Sequence, residues 1–492
     1  MSQTLDFTVA PKLAFATTGL EPYVPSAEQP WDTLRAAHLL RRTLIGPRAT
    51  EIAEAVLSTP EQIVDQLLDV PFHLPLPPRA WVYEEPFTGS LTSEQKALRK
   101  ARMHEVRAWW MDLMVNQELN IRERMVLFWH NHFATQAKDV QRPHLMFLQN
   151  TAFRKHAVGN FKTLVEEITR DPAMLYYLDG NLNKVGRPNE NYGRELMELF
   201  TMGVGNYTET DVGEAARALT GWIVSGKKAE FRNSRHDKGE KNFLGQTGTF
   251  NDQDIVNIIF SQPVTAEFIC RKLYQAFVYH YPDDNVVQEM AQLLRDNNYE
   301  IKPVLKTLLL SAHFFDSATI GARLKNPVEH LAGTARILSM EAGQDKDIRG
   351  EYLFRLSDTL GQYLLDPPNV AGWPGYRNWV STTTLPERHK MTDEIVDGNP
   401  RRFGKLYFSV QKPDLVGFVK SFPDPYDAAK LVRDMGECLM PFKVDSDREE
   451  LFLATLLEGA DVYDWDPDDR DALRRISNLV KLIFELPEYQ LI

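Results

Sequence analysis

Apolar residues recur along this chain at intervals of three and four, the spacing that lines one face of an α-helix. Between Glu94 and Met114 the positions Leu98, Ala101, Val106, Trp109, Trp110 and Leu113 follow it, with Arg99, Lys100, Arg102 and Glu105 between them. The stretch 160–168 sets Phe161, Leu164, Val165 and Ile168 on one face behind Asn160, a residue type that caps helix starts. Ile269, Leu273 and Phe277 stand at i, i+4 and i+8. At 326–338 several signals agree. Asn326 caps, Pro327 takes the first turn where its missing N–H is harmless, and Glu329 stands at the capping-box position. Strand signals are few, and 221–226 with 228–232 read as a small hairpin. The sequence has no βαβ alternation, no glycine-rich phosphate loop and no internal repeat.

The helical pattern breaks in three places. Residues 70–87 are proline-rich and carry aromatics, which predicts a packed loop; 232–252 are polar and contain glycines, which predicts another. The third break, "LDPPNVAGWPGYRNWVS" at 365–381, holds Trp373 and Trp379. Its prolines and glycines fix a loop shape, and an ordered loop this long is commonly functional. No linker divides the chain. The expected architecture is mainly α: a large single helical body with long ordered loops and at most a small β-hairpin. Residues 1–30 form an N-terminal extension, 31–398 the helical core, and 399–492 a C-terminal helical segment packed on that core.

Composition narrows the partners. The 492 residues are 43% hydrophobic and 25% charged, ordinary globular values. A net charge of -12 argues against a protein built to bind nucleic-acid phosphates. Two cysteines, Cys270 and Cys438, cannot build a disulfide framework or a cysteine zinc site, and read as small buried hydrophobes. No run approaches the roughly 18 apolar residues of a membrane span. The first residues show neither the basic nor the apolar region of a signal peptide. A cytoplasmic, acidic, soluble protein is expected, with neither membrane nor nucleic acid as partner.

Candidate chemistry lies in a few dense stretches. In "FWHNHF" (128–133), His130 and His132 are two apart. On a helix that sets them about 200° from each other, so they share no metal unless the helix ends there. His132 falls on the apolar stripe and His130 off it. In "NENYGRELMELF" (189–200), Glu190, Arg194 and Glu198 are four apart and predict an outer ion-pair ladder. Glu195 flanks the apolar stripe, and a carboxylate there needs a partner or a proton. Farther on, Gly203 and Gly205 allow a tight turn, and Thr208 and Asp211 have capping-box spacing. Tyr207, Asp211 and Arg217 then line the same side as Glu195. "HDKGEKNFLG" (236–245) puts His236, Asp237 and Lys238 together.

These motifs, with "HLLRRTLIGP" (38–47), "DPAMLYYLD" (171–179), the tryptophan loop and the terminal "LPEYQ", appear in order over almost the whole chain. Together they resemble the bacterial family called domain of unknown function 1800. The resemblance implies a mostly helical fold without an assigned activity, and a protein partner encoded nearby. Two readings of function follow. In the first, the chain is a hydrolase or transferase acting on a polar, glycan-like substrate. Glu195 or Glu198 serves as general acid or base, His132 or His236 as the second proton-transfer group, and Arg194 or Arg217 holds the substrate. Tyr207 and Asp211 line its site, while Trp373 and Trp379 supply flat surfaces for stacking. A metal-assisted variant would use His132, His236 and Asp237; no cofactor is named by the sequence. In the second reading the chain is a non-catalytic helical scaffold or accessory partner of a separate enzyme, with buried Arg–Glu pairs fixing helix register.

Overall fold

A computed structural model describes residues 13–17, 19–342 and 346–492, so part of the expected extension over 1–30 lies outside the described residues. Among the described residues the architecture is mainly α, with three two-stranded antiparallel hairpins. The elements that position the site are α1 (Thr33–Thr43), α2 (Ser93–Val115), α3 (Arg122–His132), α4 (Pro143–Lys155), α5 (Asn191–Glu195), α6 (Glu209–Ala218), α7 (Pro263–Phe277), α8 (Pro327–Ile337), α9 (Lys346–Thr359), α10 (Thr384–Asp397) and α11 (Ala472–Glu485). The hairpins are β1 (Trp222–Ser225) with β2 (Lys228–Phe231), β3 (Lys241–Phe243) with β4 (Gln246–Gly248), and β5 (Arg401–Phe403) with β6 (Leu406–Phe408). Membrane-crossing length is absent: no helix among the described residues is long and apolar enough to span a bilayer.

The predicted helix starts form as their residue types require. Glu329 N–H donates to Asn326 Oδ1 at 2.8 Å and Asn326 N–H to Glu329 Oε2 at 2.8 Å, closing the capping box. Thr208 and Asp211 do the same for α6. α2 begins at a Thr92–Gln95 box and lies along α9, while α8 packs on α2, α9 and α10. Both cysteines are buried and unpaired with each other. The β1–β2 hairpin falls where the alternation placed it.

One feature departs from the sequence reading. The polar stretch 232–252 contains the hairpin β3–β4, turned through Leu244 and Gly245, both at positive φ. The hairpin β5–β6 opens the C-terminal stretch, in which α11 packs on α10 and the helix Ala428–Leu439 packs on α1.

α3 is the helix that organises the interior. Glu123, Arg124, Met125, Val126, Leu127, Trp129, His130 and His132 are all buried, so it is covered around most of its circumference, with Phe128 and Asn131 partly open. Its polar groups are matched from other segments. Arg154 of α4 holds Glu123 in a two-pronged pair, 2.5 and 2.9 Å.

Candidate functional site

The cleft begins with one face of α3. Arg124, Leu127, Phe128, Asn131 and His132 stand at i, i+3, i+4, i+7 and i+8, and all five line the same hollow. Lys272, Gln275 and Ala276, at i, i+3 and i+4 on α7, form the facing wall. Arg323, Asn326 and Glu329, leading into α8, close one end, and the tryptophan loop with Trp373, Tyr376 and Trp379 closes another. The enclosed space is about 350 Å³, the size of a small polar ligand.

The stretch "NENYGRELMELF" does not line the cleft but anchors two residues that do, through its carbonyls. α5 does not continue as a regular helix; Leu196–Thr201 forms a π-turn, with Met202 N–H bonded to Met197 O five residues back. Such a turn leaves carbonyls without their usual partners, and π-turns recur at functional sites. Here Lys272 Nζ donates to Leu199 O at 3.1 Å and His132 to Phe200 O at 3.0 Å. A carbonyl only accepts, so His132 carries its hydrogen on Nε2. Its Nδ1 is buried and has no partner among the described residues. Burial, reinforced by Lys272, holds the His132 imidazole well below its ordinary range, and it is neutral. Burial also pushes the Lys272 amine down to about 8.

The tryptophan loop is pinned from behind. Gln136 Nε2 donates to Pro367 O at 2.7 Å, Ala137 N–H to Leu365 O at 2.8 Å, and Arg107 Nε to Leu364 O at 2.7 Å, with the Arg107 guanidinium also paired to Asp366. Trp373 N–H donates to Asn131 Oδ1 at 2.7 Å. Gly372 makes this approach feasible: its φ is +83°, and a Cβ there would sit 2.4 Å from Asn131 Oδ1. Trp373 and Trp379 are only 6% and 7% exposed, so their ring faces are largely covered by protein, Trp373 by His130 at 5.6 Å. The more open rings are Tyr376 and His280, stacked on each other at 4.4 Å.

The cations of this cleft are unequally matched. Arg124 donates to Arg41 O at 2.8 Å and Leu44 O at 3.1 Å, and is paired with Glu329. Glu329 is thereby occupied by Arg124 and by its own helix cap. Arg323 has only Glu329 at 3.7 Å, too far for a hydrogen bond, and its guanidinium donates to no described residue. Burial lowers Arg323 to about 10, so it remains charged at neutral pH.

The sequence-predicted residues divide into two groups. His132, Trp373 and Trp379 line the cleft. The others lie along a rim built from α5, α6 and the β3–β4 hairpin, each held locally. Arg194 does not complete the predicted ladder: it pairs with Glu190 at 3.3 Å and with Glu209 at 2.7 Å, while Glu198 accepts from the Tyr207 hydroxyl at 2.6 Å. The ladder breaks because the π-turn swings Glu198 away from Arg194's line. Asp211 caps α6 and accepts Leu244 N–H at 2.7 Å. Arg217 joins Asp237 and Glu214, each at 2.8 Å. His236 Nδ1 donates to Thr220 O at 2.9 Å and its ring packs on Phe231. Glu195 is half-buried and its carboxyl is raised, by burial first and by Glu198 second.

His130 is buried between Trp110, Phe153 and Trp373, turned away from His132 although α3 ends there. Among the described residues no group of three His, Cys, Asp or Glu side chains is placed to hold a metal ion, so His132, His236 and Asp237 do not form one. Arg124, Lys272, Arg323, Glu329 and His280 escaped the sequence reading. The helical spacing of polar residues at 124, 131 and 132 on an otherwise apolar helix was the available signal.

No curated protein and no solved structure matches this chain. A family model matches residues 38–491, nearly the whole length, and the chain therefore belongs to the family described as protein of unknown function, DUF1800.

Proposed function

We propose that the chain is a hydrolase or transferase that acts on a polar, glycan-like substrate held between α3, α7 and the tryptophan loop, with Lys272 as the proton-transfer group. The placement of Lys272 carries this reading. Its amine lines the cleft and uses one of its three N–H donors on Leu199 O, leaving the others for a substrate. With its pKa pushed down to about 8, it exchanges a proton near neutral pH, as a general acid or base must. His132, neutral and anchored on the next carbonyl, fixes the wall beside it. Asn131, Gln275 and the Tyr376–His280 stack offer the amide and aromatic contacts that hydroxylated ligands use.

Turnover of a panel of oligosaccharides and their esters tests this. Lys272→Met should lower kcat/KM by about a hundredfold or more, and Lys272→Arg should not restore it, because guanidinium keeps its proton. Equal loss on Glu195→Gln and Glu198→Gln, with Lys272→Met active, would move the chemistry to the rim.

A second reading has its own support. Arg107–Asp366, Arg124–Glu329, Arg154–Glu123, Arg336–Glu51 and Arg349–Asp112 join distant segments through pairs with at least one buried partner. Charge pairs that fix register suit a helical accessory protein. Co-purification with a second protein at a constant ratio supports that role, and a lone monomer counts against it.

A further inference from the structure

We infer that the ligand of this cleft carries an anionic oxygen group, a phosphate, sulfate or carboxylate, which is bound by Arg323. The inference rests on the cleft being the ligand site, not on the chemistry assigned to Lys272.

Local charge in the cleft favours an anion. Arg124, Lys272 and Arg323 line the hollow against one carboxylate, Glu329, in a chain whose net charge is -12. A protein acidic overall that turns its cations into one concavity concentrates positive potential there, and low-dielectric walls focus it.

The pairing of the guanidinium groups points the same way. A guanidinium presents five N–H donors in a fixed fork, and burying one without partners costs free energy. Other buried arginines match part of the fork, each leaving one nitrogen without a partner. Arg42 donates to Val278 O at 2.9 Å and also to Thr319 O; Arg388 donates to Gln490 Oε1 at 2.7 Å and Lys325 O at 3.0 Å; Arg336 holds Glu51 and Gly46 O. Arg323 alone among those lining the cleft donates to no described residue, and its Nη1 is fully covered. Glu329 cannot turn to it without leaving Arg124 and the cap of α8. The Arg323 Nε and Nη2 are neither fully covered nor hydrogen-bonded, and two such nitrogens of one fork are matched by two oxygens of one anion.

A second hollow of about 380 Å³ also holds arginines, Arg99, Arg102 and Arg142. There Arg102 pairs with Glu84 at 2.6 Å and lies over the Trp81 and Phe87 rings, and Arg142 lies over Tyr176 at 4.5 Å. Arg102 and Arg142 each have a protein partner at close range, whereas the Arg323 guanidinium donates no hydrogen bond to a described residue.

Calorimetric titration with inorganic phosphate, sulfate, acetate and methyl glucoside decides the matter, and needs no turnover. Saturable binding of at least one of the three anions, weakened tenfold or more in Arg323→Gln and partly restored in Arg323→Lys, is expected. Preference for phosphate and sulfate over acetate names a tetrahedral group, and the reverse names a carboxylate. Arg142→Gln should bind as the wild type does. If Arg323→Gln does not fold, Arg323→Lys alone must still lower the affinity, since an ammonium cannot make the two-pronged contact. Absence of saturable anion binding, binding of methyl glucoside alone, equal affinity in the Arg323 variants, or loss in Arg142→Gln instead would overturn the inference. Loss of the Lys272 chemistry with phosphate still bound through Arg323 would refute only the proposed reaction.

Discussion

The cleft and the rim are both rich in charge, and they dispose of it in opposite ways. On the rim, Arg194 finds Glu190 and Glu209, and Arg217 finds Glu214 and Asp237. Those partners stand 3 to 20 residues away in sequence, solvent reaches them, and each such pair contributes little to stability. In the cleft, the charges come from α3, α7 and the approach to α8, which lie far apart in sequence, and the acids are outnumbered. Local pairs decorate a surface. Distant, under-matched charges converging on a hollow need something from outside the chain.

That contrast is most sharply broken at its acids. Glu329→Gln removes the charge that balances Arg124 and weakens the cap of α8, and should destabilise by about 3–5 kcal/mol in chemical denaturation. Its rim counterpart, Glu209→Gln, should leave the denaturation midpoint unchanged, because Glu209 is fully exposed. Equal effects would erase the distinction.

Glycines at positive φ give the next test. Gly372→Ala forces a Cβ against Asn131 and should cost about 3 kcal/mol while displacing Trp373, seen as a change in tryptophan fluorescence. Gly205→Ala, on the rim turn at φ +89° with open space around it, should cost only about 1 kcal/mol.

How much of this was legible beforehand follows the same division. The boxes at Asn326–Glu329 and Thr208–Asp211, the helix at 93–115 and the hairpin at 222–231 are local devices, and local residue types announce them. The β3–β4 hairpin was not announced, because Leu244 stands at a positive-φ turn position where Asn or Asp would signal it. The π-turn was also silent, since a shift from i−4 to i−5 bonding leaves no residue signature, and it redirected Glu198 to Tyr207. In the cleft, sequence reasoning reached His132 and the two tryptophans through dense motifs. It passed over Lys272 and Arg323, which sit in plain helical or loop contexts and gain meaning only when α3, α7 and α8 meet.

At Lys272 the expected effect is a modest gain. The folded state lowers Lys272 from 10.5 to about 8, so at pH 7 it carries the cost of holding a buried ammonium. Lys272→Met should therefore stabilise the protein by about 1–2 kcal/mol at pH 7, allowing for its partial exposure. The sign fixes the pH window. Below pH 8 both states hold the proton and the penalty is complete. Between about 8 and 10.5 the folded state has released it while the unfolded state retains it, so wild-type stability rises toward that of the variant. Parallel stability curves across that window would show that Lys272 is well solvated and not set for proton transfer.

The central claim is that the cleft, not the rim, meets the ligand. Diffraction from crystals soaked in phosphate or sulfate tests it most directly. The account predicts an oxyanion about 3 Å from the Arg323 guanidinium nitrogens, inside the hollow bounded by α3, α7 and the tryptophan loop. An anion held only by Arg194 or Arg217, with the hollow filled by its own side chains, would contradict it.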